Sequence, residues 1–127
     1  MLAAYQLEFR SRGSELQVVV RGEERHPDNV VACWLQIARE VAQRHPGRLL
    51  VVSHVVGEPM SAELMPALFA KMAGRGFEGL RIAYVDAQGF KTPLMETAEI
   101  LASEQGFGVR VFDSLTAAEV WLRHGAD

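Results

Sequence analysis

The stretch LLVVSHVV, Leu49 to Val56, decides the fold. Its residues are almost all apolar, it is rich in valine, and Gly47 and Gly57 bound it. A strand with one face in water alternates apolar and polar residues, whereas a strand covered on both faces is apolar throughout. The stretch therefore predicts a central strand of a mostly parallel sheet that has helices on both faces.

Before this strand the chain shows the period of two that is typical of half-buried strands. Apolar and polar residues alternate over 5–10 and again over 16–21, and Gly13 lies in the polar stretch between them. Glycine is favoured in tight turns because it adopts positive φ without steric cost. The chain is therefore predicted to open with an antiparallel β-hairpin, which makes the sheet mixed.

Helical periodicity alternates with the remaining strands. One apolar stripe runs from Val30 to Ala42, with Asp28 or Asn29 as the expected cap and Pro46 as the stop. A second stripe follows Ser61, where Pro66 requires either that SAEL forms a separate tight turn or that the first helical turn is distorted. A third stripe begins at Thr92 and ends before Gly106, and strands are expected at 80–86 and 109–112.

The last helix has its start signal within VRVFDSLTAAEVWL, residues 109–122. Thr116 and Glu119 have the spacing of a capping box, and Leu115 and Val120 could flank it as a hydrophobic staple. Ser114 is a competing cap. The whole chain is thus predicted to be one α/β domain, residues 1–127, with a mixed, mostly parallel five-stranded sheet and four helices in the order ββαβαβαβα.

Composition excludes several classes of protein. Hydrophobic residues make up 49% of the 127 residues, charged residues 23%, and the net charge is −3, so neither a disordered chain nor a nucleic-acid-binding surface is indicated. The single cysteine, Cys33, leaves no disulfide framework or cysteine zinc site. The N-terminus lacks signal-peptide features and no apolar run approaches ~20 residues. We expect a soluble, unprocessed protein of the cytoplasm.

Two stretches carry a resemblance to a known family. VRVFDSLTAAEVWL (109–122) and LRIAYVDAQ (80–88) resemble the closing strands and helix of bacterial STAS-like proteins of the SpoIIAA-like group. The resemblance implies a STAS-type α/β sandwich related to the CRAL-TRIO lipid-binding fold. It also implies a role as an anti-sigma factor antagonist or a related regulator, although some members are uncharacterised.

In the antagonist branch of that family a phosphorylated serine at the start of the helix after the third strand acts as the switch. The counterpart by position is Ser61, although the family's Asp-x-Ser-Gly motif is not reproduced around it. A phosphate at this position would be stabilised by the helix amides and dipole. The alternative is that Ser61 only caps the helix.

Acidic residues at strand ends mark a second candidate site. Asp86 and Asp113 end consecutive strands, and ligands of open α/β sheets bind beyond such carboxyl ends, here beside the loop that contains Glu58. Capping and solvation are favoured over metal binding, which needs more clustered acids. His54 lies within the predicted central strand, where a histidine either lines a pocket or is a core residue with satisfied hydrogen bonds.

Methionines and aromatic residues on the second and third helices form a third candidate. Methionine is flexible and polarizable, and it recurs at adaptable hydrophobic binding surfaces, although sheet-covering helices also need such a stripe for the core. The residues concerned are Met60, Met65, Phe69, Met72 and Met95.

Together the sequence and the resemblance favour a non-enzymatic cytoplasmic STAS-like module that binds a protein partner and that could form a homodimer. The alternative is a carrier or sensor of a small apolar, lipid-like ligand held between the helices and the sheet. An enzyme is the weakest hypothesis, because it would need convergent polar groups around His54 and the sequence shows no such set. No cofactor, metal, nucleic acid or membrane span is expected.

Overall fold

The structure, a computed structural model, describes residues 5–23, 27–56, 62–87 and 92–124, with the backbone alone at 27, 62 and 92–95. Five strands and four helices follow one another in the predicted order. Their bounds are β1 Gln6–Arg12, β2 Glu15–Arg21, α1 Pro27–Arg44, β3 Arg48–Ser53, α2 Met65–Met72, β4 Arg81–Asp86, α3 Thr92–Glu104, β5 Gly108–Phe112 and α4 Leu115–His124.

The strands lie in the sheet in their order along the chain, from β1 to β5. β1 and β2 are antiparallel and joined by a turn at Gly13, whose φ is +61°, and every other neighbouring pair is parallel. β3 is the central strand, with Val51 level with Val18 of β2 and Tyr84 of β4. The mixed sheet and its centre are as the sequence predicts.

Helices cover both faces of the sheet, each over its own hydrophobic core. On one face, α1, α2 and α3 pack on β2, β3 and β4, and the buried side chains include Ile37, Leu68 and Ala102. On the other face, α4 packs through Ala118 and Leu122 on the strands β3 and β4. This division explains why β3 is apolar on both of its faces.

The two edge strands of the sheet, β1 and β5, differ. β5 is bordered by α3, and the Glu99 carboxylate accepts a hydrogen bond of 3.0 Å from the backbone N–H of Val111. That contact satisfies a donor on an edge strand, where donors otherwise invite pairing with another chain. No described strand or helix residue gives β1 a comparable hydrogen bond along its outer edge.

The proline at the start of α2 is accommodated by a tighter turn. Residues Ala62–Leu64 form one 3₁₀ turn, and Pro66 is the second residue of the α-helix that follows. A backbone N–H at that position has no partner within the helix, so the proline removes nothing. The 3₁₀ turn runs directly into α2 at Met65, so the irregular start that the sequence predicts at Pro66 is a tighter turn continuous with the helix.

Two predicted helix starts are wrong in detail. α1 begins at Pro27, so Asp28 and Asn29 lie inside its first turn instead of capping it. Proline favours the first helical position because its φ is already helical, which moves the start toward the N-terminus.

The predicted capping box of α4 is also wrong. Because α4 begins at Leu115, Ser114 holds the cap position, and its Oγ accepts the N–H of Ala117 at 3.3 Å. Glu119 instead pairs with Arg123 at 3.1 Å, one turn along the helix. Leu115 and Val120 are exposed and form no staple.

Candidate functional site

The carboxyl ends of β2, β3 and β4 bring a serine and an aspartate together. Val20, Ser53 and Asp86 are level with one another on neighbouring strands and share the face that α1 covers. Ser53 is 3% exposed and Asp86 is 7% exposed, and the Ser53 Oγ accepts a hydrogen bond of 3.4 Å from the N–H of Val55. This row is the polar part of the site.

A small cavity of about 30 Å³ lies between this row and α1. Its walls are mostly valine and aromatic side chains, and Ser53 gives it a hydroxyl group. A cavity of that volume holds on the order of one or two water molecules. The lining residues are Tyr5, Val20, Val30, Cys33, Trp34, Val51, Ser53, Val55 and Tyr84.

Aromatic rings form one side of the cavity. The Trp34 ring stacks on Tyr84 with the ring centroids 6.2 Å apart, and it meets Phe77 edge-on at 5.9 Å. The Tyr5 ring lies so close to Gly22 that a Cβ on this glycine would be 2.5 Å from the ring. A residue larger than glycine at position 22 would therefore displace Tyr5 from the rim of the cavity.

The cysteine in this cavity is chemically quiet. Burial raises the pKa of the Cys33 thiol to about 12, because the thiolate would lose its hydration among apolar side chains. At neutral pH the thiol stays protonated, and a protonated thiol is neither a good nucleophile nor a good metal ligand. Among the described residues no group of three or more histidine, cysteine or acidic side chains could hold a metal ion.

Comparison with known proteins bears on the fold and not on the cavity. No family model matches the chain, and no curated protein matches it. A solved structure does: an uncharacterised protein of the DUF3478 family from Shewanella loihica PV-4, with a SpoIIAA-like fold, covers 96% of each chain at a TM-score of 0.57 and 8% identity. This chain has a SpoIIAA-like fold. At that identity the likeness carries no residue roles.

Within the SpoIIAA-like fold, the predicted crevice beyond the strand ends corresponds in part to the observed site. Asp86 lies in the buried row, whereas Asp113 is exposed one residue after β5. His54 comes directly after β3 rather than within it, and its backbone N–H bonds to the Val20 carbonyl at 2.7 Å. His54 is half-buried and does not line the cavity.

The methionine-rich candidate surface is mostly core. Met65 and Met72 are buried, and Phe69 is half-buried with its ring centroid 6.1 Å from that of Phe107. None of these three side chains lines the cavity. Met95 belongs to α3, but its side chain is not described. Glu58, Met60 and Ser61 lie outside the described residues.

Sequence reasoning missed two features at this end of the SpoIIAA-like fold. One is the cavity, whose signal was a tryptophan and two tyrosines at core-facing positions, since buried rings with polar tips often mark pockets. The other is a pair of exposed apolar side chains, Val56 at 43% and Leu64 at 41% exposure. They flank the segment 57–61 on its two sides.

Proposed function

We propose that this protein is a non-enzymatic regulatory module that binds a protein partner at the carboxyl end of its sheet. The observation that carries the proposal is the exposure of Val56 and Leu64 on either side of residues 57–61. Burying these two side chains against another protein would remove apolar area from water, which is favourable.

The position of Ser61 supports regulation of this contact. Ser61 lies in the sequence between the two exposed residues, and the family resemblance makes it the counterpart of a phosphorylated serine. A phosphate adds about 1.5 to 2 negative charges at pH 7, and the cost of desolvating them would oppose an apolar contact. Phosphorylation at Ser61 would therefore release an apolar partner.

The chemistry of the buried groups supports a role without catalysis. The Cys33 thiol is protonated at neutral pH, and the Ser53 hydroxyl is buried and accepts a backbone hydrogen bond. Ser53 is next to Asp86 in the sheet, but His54 does not line the cavity that Ser53 lines. The histidine base that usually activates a serine nucleophile is thus not among the residues that line the cavity.

The test begins with crosslinking in cells that express the protein naturally, followed by identification of the captured partner and titration against the purified chain. Val56→Ser and Leu64→Ser should each weaken binding by about tenfold, the effect of removing a well-packed interface side chain. Val120→Ser is the matched control, since Val120 is equally apolar and is 53% exposed on α4. Ser61→Asp should weaken binding as well.

The proposed surface would be refuted if Val56→Ser and Leu64→Ser bound the partner as tightly as the wild type and the Val120→Ser control. If only Ser61→Asp left the affinity unchanged, the surface would stand and the phosphorylation switch would not.

A second candidate function is the sensing of a small apolar molecule, and the cavity beneath α1 favours it. Its lining is mostly apolar and aromatic and includes the hydroxyl-bearing residues Ser53, Tyr5 and Tyr84, the usual composition of a small-molecule site. At about 30 Å³ the cavity has room for on the order of one or two water molecules, and Tyr5→Ala would enlarge it at one of its lining positions. Native mass spectrometry of Tyr5→Ala should then show an apolar compound retained after purification, and an empty protein would count against this candidate.

A further inference from the structure

The outer edge of β1 carries the features of a surface for a second copy of this chain. β1 is the first strand of the sheet, and within the described part of the chain only β2 pairs with it. It is seven residues long and contains no proline, which commonly blocks pairing at an edge, and no glycine, which would weaken the strand.

The hairpin determines which backbone groups point outward from β1. Arg12 and Glu15 face each other across a two-residue turn. Residues that flank such a turn form a hydrogen-bonded pair, and the direction of the backbone groups then alternates along the strand. Leu7, Phe9 and Ser11 therefore direct their N–H and C=O groups away from β2 and toward an incoming strand.

The face of β1 that lies toward α1 is only partly covered. Leu7 and Phe9 pack against the core beneath α1, yet both side chains remain half-buried. Val31 and Leu35 of α1 are also half-buried against the same core. An added strand would extend this core at its open side and cover more apolar area.

The opposite face of β1 is charged in a pattern that is complementary to itself. Glu8 and Arg10 are exposed and lie on either side of Phe9. If two β1 strands pair antiparallel about a twofold axis at Phe9, Glu8 of each copy lies opposite Arg10 of the other. Opposite charges directly across an antiparallel pair stabilise it, and like charges destabilise it.

Other registers with the same strand direction are less favourable. An axis at Ser11 would place Arg10 opposite Arg12, and an axis at Leu7 would place Glu8 opposite Gln6. An axis at Glu8 or Arg10 would still pair the outward backbone groups, but it would place Glu8 opposite Glu8 or Arg10 opposite Arg10. Of these registers, only the axis at Phe9 sets both Glu8 and Arg10 opposite a residue of opposite charge.

We propose that two copies of this chain associate through antiparallel pairing of β1 about Phe9, which joins their sheets into one of ten strands. The interface is isologous, so each copy supplies the same residues, and Phe9 lies opposite its counterpart at the axis. The interface lies at the β1 edge of the sheet, whereas β5 forms the other edge. It does not depend on the partner surface proposed at Val56 and Leu64.

Sedimentation equilibrium of the full chain over a range of concentrations tests the proposal. The wild type should dimerise. Arg10→Glu places Glu8 opposite a glutamate at both symmetric positions, and Glu8→Arg places Arg10 opposite an arginine, so each single variant should dimerise at least about tenfold more weakly. Arg21→Glu is the control, because Arg21 is exposed at the end of β2 and takes no part in the pairing.

Two further samples separate lost charge pairing from damage to the fold. An equimolar mixture of Arg10→Glu and Glu8→Arg chains restores both opposite-charge pairs and should form a mixed dimer. The double variant Glu8→Arg/Arg10→Glu should form a homodimer like the wild type. A wild type that stays monomeric, or a mixture that stays as monomeric as its components, would overturn the proposal.

Discussion

At the scale of single residues, burial determines what Cys33 can do. The thiol lies under α1 with its pKa raised from the ordinary value of 9.0 to about 12 by desolvation. Since the neutral thiol is favoured in the folded state, the unfolded chain loses the thiol proton first as the pH rises. The stability that this difference provides is complete below pH 9 and is lost between pH 9 and about pH 12.

The free energy of unfolding should therefore fall with pH in that range. At pH 10 the loss from this one group should be about 1.4 kcal/mol, because the unfolded thiol is then mostly ionised and the folded thiol is not. Urea denaturation at pH 8 and pH 10 measures it. Cys33→Ala lacks the thiol. Between pH 8 and pH 10 its free energy of unfolding should therefore fall by about 1.4 kcal/mol less than that of the wild type.

Equal losses for the two proteins would show that Cys33 ionises as readily in the fold as outside it. A thiol-specific reagent gives an independent check: at pH 8 the folded wild type should react far more slowly than the same protein in urea.

At the scale of elements, the start of α4 shows how local signals compete. Ser114 and Thr116 are both suitable caps, and the spacing of Thr116 and Glu119 matches a capping box. The sequence motif favours Thr116, but the helix begins early enough that Ser114 holds the position. The pattern alone does not decide between overlapping caps, because the choice depends on where the helix meets the sheet.

Substitution distinguishes the two hydroxyl groups. Ser114→Ala should lower the free energy of unfolding by about 1 kcal/mol, since the N–H of Ala117 loses its partner. Thr116→Ala should change it little, because Thr116 is exposed within the first turn of α4. Chemical denaturation of both variants gives the comparison, and a larger loss for Thr116→Ala would restore the capping-box interpretation.

At the scale of the whole molecule, the sequence predicts the architecture because each layer has a distinct pattern. The apolar run around Val51 requires that helices cover both faces of its strand. The alternation in β1 and β2 requires a covering helix on only one face of those strands. Short connections and helical stripes then leave few ways to arrange five strands. The observed order β1 to β5 is one that these constraints allow.

The candidate site could be predicted only in part. Asp86 was found because acidic residues at the ends of parallel strands follow from the fold. The cavity was not found, because its walls come from four separate elements and from two residues outside them, Tyr5 before β1 and Val55 after β3. No local pattern specifies how closely Trp34 and Tyr84 pack, and packing alone determines whether space remains beside Ser53.

The carboxylate of Glu99 has a consequence for how large an assembly of this chain can become. Two copies joined at their first strands would carry β5 at both outer ends. There the N–H of Val111 is already bonded to Glu99, so an incoming strand would have to break that bond before it could attach. This bond would disfavour assembly beyond two copies, because the same sheet that accepts a neighbour at its β1 edge would resist extension into a fibre at its β5 edge.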